Sequence, residues 1–170
     1  AVCGSSEMMW LTASERAQLV SETIRHAGDL PVIATGNLDP DVGQHADEAR
    51  RIADLGAAAV VLVPPPQVSA DNVRYRDYIA SLAAVLPCPV LVYEWPLVDN
   101  YLMDAQMFAE LAREGIIAGI KDTTCTYEGI LAKQRVAGGA IVYQANTPFM
   151  LDSLEMGAQG IMAITSAAQP

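Results

Sequence analysis

Along the whole of this 170-residue chain, short apolar runs rich in β-branched residues alternate with stretches of helical periodicity. No other feature restricts the fold as strongly. The runs fall at 31–35, 58–63, 89–93, 116–121, 140–143 and 160–165, and residues 1–3 read as the end of one more. Between them, apolar residues recur at helical spacing over 12–26, 42–55, 70–86, 104–113, 127–135 and 148–156. Thr12, followed three residues later by Glu15, has the spacing of a capping box and sets the start of the first helix. Runs that are apolar without alternation are typical of strands covered on both faces. Strand and helix in strict succession give right-handed crossovers and a parallel sheet. Two architectures accept such a chain, the doubly wound sheet and the (β/α)8 barrel. No GxGxxG follows any run, so the marker of a dinucleotide-binding sheet is missing. The pattern therefore predicts one α/β domain over residues 1–170, a (β/α)8 TIM barrel with about seven parallel strands. A full barrel takes about 250 residues. The chain is accordingly expected to be incomplete, without the first strand and the closing C-terminal helices.

Composition narrows the functions. A formal net charge of −10 provides no basic surface to neutralise phosphates, which argues against a nucleic-acid partner. No apolar run approaches the roughly 18 residues of a membrane span, and residues 1–4 lack the basic-then-apolar pattern of a secretion signal. Cys3, Cys88 and Cys125 are odd in number and form no CxxC pair; they read as reduced thiols of a cytoplasmic protein. No grouping of His, Asp and Glu suggests a metal, and His26 and His45 fall inside predicted helices. Neither a metal nor a cofactor is expected.

In a barrel, chemistry gathers at the C-terminal ends of the strands. Those ends carry Ser5, Ser6, Thr35, Tyr93, Lys121, Gln144 and Thr165. Lysine is scarce: the chain has Lys121 and Lys133 and no others. An ammonium at the end of a buried strand is costly to desolvate. A lysine so placed has its pKa pushed down and becomes a candidate amine nucleophile for Schiff-base chemistry. Alternation turns Asp122 to the face opposite Lys121, where it reads as a turn residue. Glu94 stands in the same relation to Tyr93 and is expected at the surface or in a supporting role. Gln144 and Asn146 are read by default as polar loop residues.

Three segments then match something specific: Gly4-Ser5-Ser6-Glu7, Val92-Tyr93-Glu94-Trp95-Pro96 and Gly119-Ile120-Lys121-Asp122-Thr123-Thr124. In order and spacing they resemble the dihydrodipicolinate synthase / N-acetylneuraminate lyase family, and Gly157-Ala158-Gln159-Gly160-Ile161 resembles that family's approach to its last strand. The resemblance implies a class I lyase, an aldolase or dehydratase acting on pyruvate or a sugar-derived 2-oxo acid, without a cofactor and commonly a homo-oligomer. It implies that Lys121 forms the imine, that Tyr93 moves protons, and that Ser5 and Ser6 hold the substrate carboxylate. The chain also departs from the family pattern. The Gly-x-x-Gly-Glu loop lacks its second glycine before Glu7. Val98 stands where the synthases have an arginine, Pro65-Pro66 where they have a tyrosine pair, and Ala145 in place of a glycine. Lysine-biosynthetic condensation is therefore disfavoured. A non-catalytic relative that binds a 2-oxo acid or sugar acid is the alternative, and an inactive truncated barrel is a second.

Overall fold

A computed structural model describes residues 1–96 and 101–167. Six parallel strands form one sheet in chain order: β1 (Ile33–Thr35), β2 (Ala59–Leu62), β3 (Val90–Tyr93), β4 (Gly119–Asp122), β5 (Ile141–Gln144) and β6 (Gly160–Ile161). Helices cover the outer face: α1 (Ala13–His26), α2 (His45–Asp54), α3 (Pro66–Ser69), α4 (Asn72–Ala83), α5 (Ala105–Arg113), α6 (Tyr127–Val136) and α7 (Met150–Glu155). The sheet curls, so that residues 1–6 and 161–164, from opposite ends of the chain, face one cavity. It is an α/β half-barrel. Every residue of β2, β3 and β4 is buried, as their unbroken apolar runs require.

The helix starts follow from local chemistry. Thr12 accepts a hydrogen bond from Glu15 N–H, and Glu15 Oε2 accepts one from Thr12 N–H at 2.7 Å, closing the box predicted from their spacing. Asp71, Asp104 and Thr126 cap α4, α5 and α6 with their side-chain oxygens.

Two expectations fail. Seven strands were predicted, and the described residues form six. Residues 1–3 run beside β1, with Thr35 N–H donating to the Ala1 carbonyl at 3.3 Å, but Val2 sits at φ +52 and breaks the extended run. The last run, predicted over 160–165, is extended only at Gly160–Ile161; at Ile164 the chain enters a 3-10 turn. The helix predicted over 70–86 is α4, shorter at both ends, and the short α3 that precedes it was not predicted.

Buried polar groups hold the loops above the strands. Arg16 of α1 pairs with Glu48 of α2 at 2.5 Å, and Glu48 Oε2 accepts the N–H groups of Leu38 and Asp39. Asn37 clasps the backbone of Val63 from both sides, donating to its carbonyl and accepting its N–H. His45, buried, bonds the Tyr78 hydroxyl and the Asp39 carbonyl, a structural role that accounts for its ring. Each burial is offset by partners on every side.

On the inner face, Gly119 opens β4. A Cβ there would run into the Ile141 carbonyl oxygen and come within 2.9 Å of Leu91 Cδ2. Gly119→Ala is therefore expected to lower unfolding stability by about 1–3 kcal/mol, the range for overpacking a close-packed site. Urea denaturation checks this, and an unchanged midpoint would refute the close approach.

Candidate active site

Register builds the site. In the β3–β4 pair, Tyr93 lies opposite Lys121, and in β4–β5 Lys121 lies opposite Tyr143. Side chains alternate along a strand, so Tyr93 and Lys121 share the inner face while Asp122 turns outward. Lys121 is buried, with 7% of its surface exposed, and its Nζ lies 3.9 Å from the centroid of the Tyr93 ring. Unlike Lys133, it has no carboxylate within ion-pair distance among the described residues. Burial pushes its pKa below the usual lysine value, and the neighbouring Cys3 opposes that shift. The ring face opposes it too, because the quadrupole of an aromatic face favours a cation. The balance is an amine with a raised neutral fraction.

Lys121 opens into a cavity of about 200 Å³ whose walls include Cys3, Ser5, Ser6, Val61 and Ile161. The serines sit in a 3-10 turn, Gly4–Ser6, closed by Ser6 N–H donating to the Cys3 carbonyl. They do not cap α1, which Thr12 caps. The turn packs directly on the end of β3: a Cβ at Gly4 would stand 3.0 Å from Trp95 Nε1 and 3.3 Å from the Tyr93 hydroxyl. Glu7 follows at φ +55, a conformation that suits glycine. Burial drives the Tyr93 phenol well above its usual pKa, so it stays protonated and can donate. A larger hollow, about 640 Å³, lies at the opposite ends of β3 and β4 between Ala80, Leu86, Cys88 and Ile116. Its side chains bring no acid, base or amine together.

Several strand-end residues lie elsewhere. Gln144 pairs in register with Asp122 and shares its outward face; its amide donates to Ser153 Oγ at 2.9 Å and accepts from Asn146. It is a structural clasp and does not line the cavity. Thr165 is exposed and bonds Thr147, while Thr35 is buried with its hydroxyl 3.5 Å from Cys3 Sγ. Val98 lies outside the described residues. Pro65 and Pro66 lead into α3 and supply no hydroxyl.

Of the two places expected for Glu94, the surface is ruled out: it is fully buried on the outer face, with Lys133 Nζ 2.7 Å from its Oε1. Lys133 also reaches Asp122 Oδ1 at 3.2 Å, and Asp122 is likewise fully buried. The sequence shows Lys133 only as a helical lysine. No motif marks it, and the carboxylates that pair with it lie 11 and 39 residues away in the chain. Burial raises the Glu94 pKa to about 7 against the pull of Lys133, with Asp122 adding to the rise. Asp122 is instead held low, where Lys133 and Thr124 outweigh its burial.

Comparisons with known proteins bear on the family and the fold. The model of the dihydrodipicolinate synthetase family matches residues 1–170. An uncharacterized DapA-like lyase of Halobacterium salinarum is 32% identical over 121 residues, covering 71% of this chain and 40% of that protein. Among solved structures, YagE of E. coli K12, a protein of the dihydrodipicolinic acid synthase family in complex with pyruvate, superposes with a TM-score of 0.84 at 20% identity, over 95% of this chain and 56% of its own. The 2-keto 3-deoxygluconate aldolase of Picrophilus torridus gives 0.83 at 19% identity, over 97% and 60%. The chain spans about half the length of the relatives it matches.

The raised Glu94 pKa has a testable sign. Between about 4.5 and 7 the folded chain keeps a proton on Glu94 that the unfolded chain has released. This contribution to stability is complete below 4.5 and is lost as pH rises through 7. Glu94→Gln should remove that slope. Tm measured at pH 5, 6 and 7 checks it, and an equal slope in both proteins would overturn the assignment.

Proposed function

The chain belongs to the dihydrodipicolinate synthetase family, and from that premise we propose that it carries the reacting groups of a class I, Schiff-base-forming lyase acting on pyruvate or a sugar-derived 2-oxo acid. One observation carries the proposal: a buried lysine with no carboxylate partner among the described residues, its pKa lowered by desolvation, opens into a cavity shared with a pair of serine hydroxyls. An amine of this kind adds to the C2 carbonyl of a 2-oxo acid and expels water as an imine. The protonated imine withdraws electrons from C3. The C3–C4 bond can then break: its electron pair passes into an enamine, the C4 fragment leaves as an aldehyde, and the proton of the C4 hydroxyl passes to the Tyr93 oxygen as the Tyr93 hydroxyl gives its own to C3 of the enamine. In the dehydratase variant, a hydroxyl leaves as water by the same withdrawal. Tyr93, protonated beside the amine, is the proton donor and relay. Ser5 and Ser6 are the hydroxyls for the substrate carboxylate. The sugar-derived acid is favoured over the lysine-biosynthetic condensation because Pro65 and Pro66 replace the tyrosine pair of the synthases.

A second reading, a binder of 2-oxo acids that does not turn them over, has its own support. The Tyr93 hydroxyl packs beside Gly4 and Trp95, and Tyr93 is not among the cavity walls.

Borohydride reduction in the presence of pyruvate separates the two. The expected result is a single reduced-pyruvate adduct on Lys121, absent in Lys121→Ala and formed about 10²–10⁴-fold more slowly in Tyr93→Phe, the usual contribution of a positioned acid/base. Saturable pyruvate binding without an adduct would favour the binder. An adduct that survives Lys121→Ala would remove the lyase reading.

A further inference from the structure

We propose that the buried Glu94–Lys133–Asp122 cluster on the helix side of the sheet is the device that positions Tyr93 and Lys121, with Lys133 as the positioning residue at its centre. The inference rests on Lys121 being the reacting amine.

The geometry is specific to that task. Glu94 follows Tyr93 directly and Asp122 follows Lys121 directly, so each member of the inner-face pair has its chain neighbour in the outer-face cluster. Lys133 Nζ joins the two strand ends, at 2.7 Å from Glu94 and 3.2 Å from Asp122, and donates to Thr124 Oγ1 at 2.7 Å. The same residues are cross-tied through the backbone. Glu94 N–H donates to the Lys121 carbonyl, Thr123 N–H to Glu94 Oε2 at 3.1 Å, and the Thr123 hydroxyl to the Glu94 carbonyl. Met103 N–H, in the chain leading into α5, donates to Glu94 Oε1 at 2.8 Å. Three elements and a loop therefore converge on the single residue step beyond Tyr93 and Lys121. Neighbouring residues on a strand share a peptide plane, so the cluster cannot shift without turning the inner-face pair.

A merely stabilising role does not account for this arrangement. Well-packed apolar side chains serve stability as well as a buried ion cluster or better. Two polar atoms here also lack partners among the described residues, Asp122 Oδ2 and the Tyr75 hydroxyl. The groups that face Glu94 are Lys133 from α6, Asp122 from β4, Tyr75 from α4 and Cys125 after β4; those that face Lys121 are Cys3, Tyr93 and the Ala1 amino group.

The test reads Lys121 in two independent ways: pyruvate-dependent borohydride trapping, and the pH midpoint of reductive methylation by formaldehyde and cyanoborohydride, followed on the Lys121 peptide by mass. In Lys133→Met, trapping at saturating pyruvate and neutral pH should slow about tenfold as the methylation midpoint rises by about one unit toward the ordinary lysine value. The double variant Glu94→Gln/Lys133→Met, which restores the cluster's net charge, should recover most of both. Glu94→Gln alone separates position from charge. Losing a nearby anion lowers the midpoint through space, whereas loss of position raises it, and a rise is expected. If Lys133→Met does not fold, Glu94→Gln decides the matter. Unchanged midpoints in folded variants, or a fall in Glu94→Gln, would overturn the inference while leaving wild-type trapping intact. Wild type that does not trap pyruvate, with midpoints that still move, would remove the lyase reading and leave the positioning role standing.

Discussion

The register of β3 against β4 is the constraint on which the rest of the structure depends. Pairing Tyr93 with Lys121 puts a phenol ring and an amine on one face, and the period of two puts Glu94 and Asp122 on the other. A slip of β4 by one residue would turn Lys121 outward beside Glu94 and put Asp122 in the cavity. The side chains oppose that slip on both faces. Gly119 alone fits the close approach of β5 and Leu91, and Lys133 alone supplies the cation that two buried carboxylates require.

The two lysines show how environment assigns opposite roles to one residue type. Lys133 is buried among two carboxylates and a threonine hydroxyl, so its charge is compensated where it stands. Lys121 is nearly as buried but faces a thiol, an aromatic ring and a cavity and has no carboxylate partner among the described residues, so desolvation outweighs what opposes it and shifts the amine toward its neutral form.

Much of this was legible in the chain, because it depends on local pattern. The Thr12–Glu15 box, the apolar runs of β2, β3 and β4, and the strand-ending segments around Tyr93 and Lys121 each carry their meaning within a few residues. What misled was also local. Val2 and the residues after Ile161 are as apolar as a strand, yet a left-handed φ at one end and a 3-10 turn at the other interrupt the extension. Gln144, at a strand end like Lys121, reads by default as a polar loop residue, yet it belongs to β5 and its register sends it outward to Ser153.

By itself the sequence determined the alternation of strand and helix, the parallel sheet, and the residue types at its C-terminal edge, since periodicity and capping act over distances of a few residues. The tertiary structure alone decided which of those residues meet. The Cys3–Ser5–Ser6 turn reaches Lys121 across more than a hundred residues of chain, and Lys133 finds Glu94 and Asp122 from the opposite side of the sheet. Those meetings follow from strand order and curl, which the sum of all the packing sets and which no short segment encodes. The burial that lowers the Lys121 pKa exists only once the sheet has curled around it.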